Sequence, residues 1–448
     1  MNTQPFMAVE GSWTLPPQSR VAATTFAEYA FLLFLLLIFV GLKPFAIRDM
    51  SDLQLGQSGN GQGDLWRQVA YLACFSAIAI AACLNSGARV FHAVPPVLAI
   101  LLGWCVVTSL WAPAPDVAMR RAGLEMVIAL SALLSVQTVG PERAIAILRT
   151  LLGAILVMNF ASILLVHQAV HLPDEADKQL IGNWRGLYYH KNITGAVCSI
   201  TALLFFFRAL DSKRLLHWLL FVGAGFFALM THSKTSLGLL PIALLAGVVF
   251  RVTRPKSLER WIVLVAGCAI AALAVLIAAV DFHAVERFLS DPSELTGRVA
   301  IWRGELGFVR DHPLFGSGFG SFADTGSLSP LYNYVADKWV QGEAHGHNAY
   351  LQLCVTIGGI GFVLALSALL VVPPLAFRRV MSREQIVFFA PLFAIFIFVV
   401  LHNFVESDFL EGDGPAWVAF LVMLGCLQAT PVPAMKSIRL NLAHWSAP

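Results

Sequence analysis

Titratable side chains stand directly before one of the long apolar segments of this sequence. Residues 342–352 read GEAHGHNAYLQ, which places His345 and His347 where a helical pattern of apolar residues begins. A helix start offers free backbone N–H groups and the positive end of the helix dipole, so it suits an anion such as a phosphate. Histidine changes its charge near neutral pH and can remove a proton from a nearby hydroxyl. The stretch therefore predicts acid–base chemistry beside a bound anion.

Two further apolar segments begin beside cations. The stretch NWRGLYYHKNITG contains Arg185 and Lys191 just ahead of Asn192, and the stretch THSKTSLG contains Lys234. Asn192 here and Asn348 in the first stretch are predicted to cap their helices with a side-chain oxygen. Cations beside these helix starts strengthen the attraction for an anion. If the three starts converge, they form one anion-binding pocket at the membrane surface.

Each of these features also has a plainer interpretation. Arg185 and Lys191 can reach the lipid headgroups from the ends of their spans, as long basic side chains do. His345 and His347 share one face of an extended chain with Glu343, which is a familiar pattern of metal ligands. No cysteine and no clear distant set of carboxylate and histidine completes such a site, so the prediction is that no metal is bound.

The composition indicates an all-α integral membrane protein. Of the 448 residues, 58% are hydrophobic and 13% are charged, and the mean hydropathy is +0.73. A soluble protein carries about a quarter charged residues. A helix needs about 20 mostly apolar residues to cross the hydrocarbon core. By that rule about twelve segments are predicted to span the membrane, at 26–47, 65–84, 94–111, 117–138, 145–167, 192–210, 214–232, 235–251, 260–280, 347–377, 385–403 and 414–430.

Short loops rich in arginine and lysine share one side of this arrangement, and such loops stay in the cytoplasm. The predicted organisation is a cytoplasmic tail at 1–25, nine spans within 26–280, a long outer loop with short helices at 281–347, three spans within 348–430 and a cytoplasmic tail at 431–448. The seven cysteines all fall inside predicted spans, so we expect no disulfide framework. The net charge of +3 is too small to suggest a nucleic-acid partner.

One segment of the outer loop, TGRVAIWRGELGFVRD, predicts an amphipathic helix. Val299, Trp302, Leu306 and Val309 fall on one stripe, with Arg303 on another. Such a helix can lie on the outer leaflet or cover a cavity in the protein. Its arginines bind substrate in one interpretation, and in the other the helix is a lid that only packs.

This segment and residues 342–352 resemble the signature of the O-antigen ligase and polysaccharide polymerase family. The family pattern is G-R-x-x-x-W, then H-P-x-x-G-x-G, then H-N-x-x-L. The matching residues are Gly297, Arg298, Trp302, His312, Pro313, Gly316, Gly318, His347, Asn348 and Leu351. GLYYHKNITG resembles an earlier H-x-N motif of the family, and NFVESDFL resembles a late motif. The exopolysaccharide polymerase branch is the most similar.

The resemblance implies an inverting glycosyl transfer that needs neither a metal ion nor a cofactor. The donor would be a glycan linked to undecaprenyl diphosphate, and the acceptor another glycan or lipid A-core. The site would face the periplasm from the bacterial inner membrane, among membrane lipids. By this likeness His347 is the base, while Arg185, Lys191 and Lys234 bind the diphosphate. Further substrate-binding candidates are Arg298, Arg303, Asn348 and Glu406.

Two points qualify this likeness. Family members usually carry arginine where Lys234 stands, and lysine keeps the charge but lacks the bidentate fork. A polysaccharide transporter or flippase would also place cations at helix mouths, and it is the alternative function. A transporter would show charges deep within its spans, whereas here the main such cluster is Arg120, Arg121 and Glu125.

Overall fold

The computed structural model describes residues 17–46, 63–173, 180–253, 298–336, 341 and 346–430. Twelve helices in this part of the chain are numbered here in order. They are α1 Pro17–Phe39, α2 Leu65–Ser86, α3 Pro96–Val107, α4 Pro115–Val139, α5 Pro141–Leu165, α6 Lys191–Ser212, α7 Leu215–Met230, α8 Lys234–Val252, α9 Arg298–Asp311, α10 Ala349–Phe377, α11 Arg383–His402 and α12 Pro415–Ala429. Strands are absent from the described residues, where the β-type pairing is one isolated bridge between Val170 and Trp184.

Most of these helices have the length and composition of membrane spans. Seven of the described helices (α2, α4, α5, α6, α8, α10 and α11) are long and apolar enough to cross a membrane, and α1, α3, α7 and α12 contain shorter apolar helices. These coincide with the predicted spans except the one at 260–280, which lies outside the described residues. The all-helical membrane fold is confirmed in this coarse form. The number twelve and the outer position of the loop at 281–347 remain predictions.

Local sequence signals account for where several helices begin. Proline occupies the first position of α3, α4, α5 and α12, where its missing N–H costs nothing. Before α11, Ser382 Oγ accepts the backbone N–H of Gln385, and the Gln385 side chain accepts the backbone N–H of Ser382. The boundaries predicted from the apolar segments lie within a few residues of the observed ones.

Helix α6 lies at the centre of the bundle. It packs against α5, α7, α8, α11 and α12. A β-carbon at Gly195 would lie 2.7 Å from Cβ of Ser233, so α6 and the start of α8 approach closely because this residue is glycine. The close approach brings two of the predicted helix starts together.

Helix α10 is interrupted by Gly358, whose backbone is left-handed with φ of 67°. The turn after α9, which contains the H-P-x-x-G-x-G motif, fits into this interruption. The Gly359 N–H donates to the Pro313 carbonyl at 2.8 Å, and the Ser317 N–H donates to the Val355 carbonyl at 2.8 Å. A β-carbon at Gly316 would lie 2.6 Å from the Gly358 nitrogen. The glycines of the motif therefore allow two stretches of backbone to touch.

Helix α9 is the amphipathic helix that the sequence predicts, but part of its predicted apolar stripe was wrong. Leu306 is 57% exposed, whereas Ile301, Glu305 and Phe308 are buried. Ile301 and Phe308 join a small core with Val355 of α10. The buried face of α9 therefore contains the carboxyl group of Glu305 between two apolar side chains.

Candidate active site

The predicted starts of three helices lie close together, and two of them contact one carboxylate. Asn192 Nδ2, at the start of α6, donates to Glu406 Oε1 at 2.7 Å. His347 Nδ1, just before α10, lies 3.2 Å from Glu406 Oε2. Glu406 belongs to the turn between α11 and α12, and the start of α8 packs on α6 through Gly195. The starts of α6, α8 and α10 therefore converge.

Glu406 holds the ring of His347 in one orientation. A carboxylate accepts a hydrogen bond, so this contact places a proton on Nδ1 and leaves Nε2 as the acceptor. The His347 side chain is 28% exposed and the Glu406 side chain only 12%. A substrate hydroxyl can therefore reach the imidazole, while the carboxylate stays behind it. This is the arrangement that a general base needs.

The backbone around His347 is held firmly. His347 has a left-handed φ of 51°, which few side chains adopt without support. Asn348 caps α10 as predicted, because its Oδ1 accepts the Leu351 N–H at 3.0 Å, and its Nδ2 donates to the Phe404 carbonyl at 3.1 Å. The Ala349 N–H donates to the carbonyl of Glu406 at 3.1 Å. Both the oxygen and the nitrogen of the Asn348 amide thus make hydrogen bonds within the protein. Its substrate-binding role stays a prediction.

A buried histidine that the sequence did not reveal connects this turn to α8. His402 Nδ1 lies 2.7 Å from Asp408 Oδ2, and its Nε2 lies 3.3 Å from Ser236 Oγ. Asn403 Oδ1 accepts the backbone N–H groups of Asp408 and Phe409, each at 2.9 Å. The late motif NFVESDFL marked the turn, but His402 just precedes it inside an apolar helix. These bonds fix the position of Glu406 relative to the start of α8.

The start of α6 differs from the prediction in its cap. His190 is the N-cap, and its Nδ1 accepts the Asn192 N–H at 3.2 Å. Burial lowers the pKa of His190 to about 3, so its ring is neutral and can accept this bond. The Lys191 N–H donates to His171 Nε2 at 3.3 Å. The prediction that Asn192 caps α6 was wrong, and its side chain binds Glu406 instead.

The three predicted diphosphate ligands lie in different surroundings. Arg185 is 1% exposed, and its guanidinium donates to the backbone carbonyls of Gln168, Ala46 and Tyr189 at 2.5, 3.0 and 3.2 Å. Lys191 is partly buried at the first position of α6. Lys234 is exposed at the first position of α8, and no hydrogen bond or ion pair holds its ammonium group within the described residues.

Of the three helices, α8, which begins at Lys234, is the one whose N-terminus has no side-chain cap. Its N-cap residue, Ser233, makes no side-chain capping bond, whereas His190 caps α6 and Asn348 caps α10. The N–H groups of the first turn of α8 are therefore not used by a side-chain cap. An ammonium group and an uncapped helix start together attract an anion.

The remaining candidates lie on α9 or outside the described part of the chain. Arg303 is exposed on α9. Nothing is described of the Arg298 side chain or of Glu343 and His345. Among the described residues no three His, Cys, Asp or Glu side chains could hold a metal ion together. Both the metal-free expectation and the alternative with His345 as a ligand therefore stay predictions.

A second carboxyl group lies beside the His347 segment. Glu305 of α9 is 2% exposed, and within the described residues its Oε2 has no hydrogen-bond partner. A β-carbon on Gly346 would overlap this carboxyl group, and Trp302 Nε1 donates to the Gly346 carbonyl at 2.7 Å. Burial raises the pKa of Glu305 to about 8. The sequence could have indicated that Glu305 is buried, because it lies four residues after Ile301 and three before Phe308 and so shares their face of the helix.

The charged residues near the start of α4 make contacts within the protein. Arg121 pairs with Asp324 at 2.5 Å, and Glu125 accepts the Gly412 N–H and the Trp417 Nε1–H, each at 2.7 Å. These contacts tie two loops to α4. They give Arg121 and Glu125 structural partners within the protein.

Comparison with known proteins gives one family. A family model described as O-antigen ligase matches residues 219–366, a region that contains Lys234, α9, the H-P-x-x-G-x-G turn and His347. No curated protein matches the sequence significantly. The match at residues 219–366 supports an O-antigen ligase-family assignment, in agreement with the motifs.

Proposed function

We propose that this protein is a membrane glycosyltransferase of the O-antigen ligase or polysaccharide polymerase type. It transfers a glycan from undecaprenyl diphosphate to another glycan or to lipid A-core at the periplasmic face of the inner membrane. The observation that carries the proposal is the hydrogen-bonded series Asn192–Glu406–His347 at the convergent helix starts, within a chain that matches the family.

His347 acts as the base in this proposal. Its Nε2 takes the proton of the acceptor hydroxyl while the hydroxyl oxygen bonds to the anomeric carbon of the donor. Glu406 stabilises the imidazolium that forms on His347. The bond from that carbon to the diphosphate oxygen breaks, and the diphosphate leaves with the electron pair. A single displacement of this kind inverts the anomeric centre, and base catalysis of this kind contributes about 10²–10⁴-fold.

Lys234 and the open start of α8 receive the diphosphate. The leaving group gains negative charge as the bond breaks, so fixed cations and N–H groups stabilise the transition state more than the substrate. Lys191, at the first position of α6, adds a second cation from the neighbouring helix. The guanidinium of Arg185 already donates hydrogen bonds to three backbone carbonyls. We therefore propose that Arg185 acts on this site indirectly, by fixing the backbone that precedes α6.

The test is glycan transfer by purified protein, with a lipid-linked glycan as donor and products separated by mass. His347→Ala is expected to lose about 10²-fold or more of the rate, and Glu406→Gln is expected to lose less because it still fills the space beside the ring. His92→Ala, a change at an exposed histidine after α2, is the matched control. Transfer at the wild-type rate by His347→Ala would refute the proposal.

A further inference from the structure

A cleft of about 720 Å³ opens beside the end of α9, away from the contact between α9 and Gly346. Two pairs of aromatic rings line it. Trp111 and Phe315 meet edge to face with centroids 5.5 Å apart, and Phe308 and Tyr334 do so at 5.6 Å. The cleft therefore has aromatic walls supplied by separate segments of the chain.

Polar groups lie among these rings. Asp311, His312 and Asn333 line the same cleft, and all three are exposed. Tyr334 Oη donates to Asp311 Oδ2 at 2.9 Å. The Asn333 amide makes no side-chain hydrogen bond with any described residue, so its donors and acceptor are available to a ligand.

This mixture matches an oligosaccharide better than a lipid chain. A sugar ring presents apolar C–H faces to aromatic rings and hydroxyl groups to amides and carboxylates. A polyprenyl chain offers nothing to the carboxylate of Asp311 or the amide of Asn333, and it would remove water from them at a cost in free energy. Few, well-placed polar groups among aromatic rings are also the usual composition of a ligand cleft.

The cleft is joined to the candidate active site by two helices. Along α9, Trp302 contacts Gly346 and Asp311 lines the cleft, and nine residues of helix separate them by about 14 Å. Along α10, the segment after His347 leads to Val355, whose carbonyl accepts the N–H of the cleft residue Ser317. The separation suits a glycan of several sugar units rather than a single sugar.

We infer that this cleft binds sugar units of a substrate glycan that lie beyond the reacting residue. The inference rests on the proposed function, because that function makes a glycan the substrate of this protein. Phe315, which is 51% exposed, supplies one face for stacking, and Asn333 supplies hydrogen bonds. The cleft would thereby favour long acceptors or donors over short ones.

The test measures binding of lipid-free oligosaccharides, released from the source organism's own polysaccharide, to the full-length protein in nanodiscs. Oligosaccharides of one and of several repeating units are compared by saturation-transfer NMR. Phe315→Ala and Asn333→Ala are each expected to weaken binding of the longer oligosaccharide by about tenfold, with little change for the single unit. Leu306→Ala, at an exposed apolar position of α9 outside the cleft, is the matched control.

Three outcomes separate this inference from the proposed function. Wild-type affinity of both cleft variants for the longer oligosaccharide would overturn the inference. So would weaker binding of a polyprenyl monophosphate with unchanged binding of the oligosaccharide, because the cleft would then hold lipid. His347→Ala is expected to bind the oligosaccharides like wild type, and full transfer activity in that variant would refute the proposed function while leaving the cleft result in place.

Discussion

Replacing Glu305 by glutamine should change how the stability of the protein depends on pH. Glu305 is buried beneath Gly346, and burial raises its pKa from an ordinary 4.5 to about 8. The folded protein therefore keeps a proton that the unfolded chain releases. A carboxyl group with a raised pKa favours the folded state fully below pH 4.5, and this contribution is lost as the pH rises towards 8 and beyond.

The size of the effect follows from the same two values. The interval from 4.5 to about 8 corresponds to a loss of about 5 kcal/mol in the free energy of unfolding, of which about 3 kcal/mol is already lost at pH 7. Glutamine has nearly the same shape but does not titrate. Its buried amide has no hydrogen-bond partner for the Oε2 position among the described residues, which costs about 1–3 kcal/mol at every pH. The curves for wild type and Glu305→Gln should therefore cross between about pH 5 and pH 7.

The assay is thermal unfolding of both proteins in detergent from pH 4.5 to pH 8.5, followed by the fraction that stays monodisperse. Wild type should be the more stable protein at the acidic end and Glu305→Gln at the alkaline end. Glu142→Gln, at an exposed position in the first turn of α5, should give a curve parallel to wild type. Parallel curves for Glu305→Gln and wild type over the whole range would refute the reasoning.

Three other predictions concern the site and its orientation. Lys234→Ala should raise the KM for the lipid-linked donor, whereas Lys234→Arg should keep most of the activity because the charge remains; wild-type kinetics in the alanine variant would remove Lys234 from the diphosphate site. Ser327→Cys should react with an impermeant thiol reagent in intact spheroplasts, and labelling only after lysis would reverse the predicted topology. His345→Ala should keep nearly all transfer and a chelator should not reduce it; loss in both experiments, with rescue by zinc, would make the segment a metal site.

Local patterns in the sequence determined the class of the protein and most of its helices. The length of the apolar segments requires membrane helices, because each must satisfy its own backbone hydrogen bonds in lipid. The apolar segments located the helices to within a few residues, and the pair His347-Asn348 indicated both the cap of α10 and the candidate base. These features depend on neighbours within a few residues, so one sequence contains them.

The partners of these residues were decided by the tertiary structure. Glu406 is 59 positions from His347 and 214 from Asn192 in the chain, and no spacing rule relates them. Arg185 is a cation at a helix mouth in the sequence, but its burial against three carbonyls follows from how distant loops fold over it.

The packing of helices in a membrane explains why sequence periodicity could not supply these contacts. A soluble helix shows which face is buried because its other face is polar, whereas a membrane helix is apolar towards both lipid and protein. Even in α9, which is amphipathic, Leu306 is exposed and the carboxyl group of Glu305 is buried. Which side chain faces a neighbour is set by the fit between whole helices, and that fit exists only once the chain has folded.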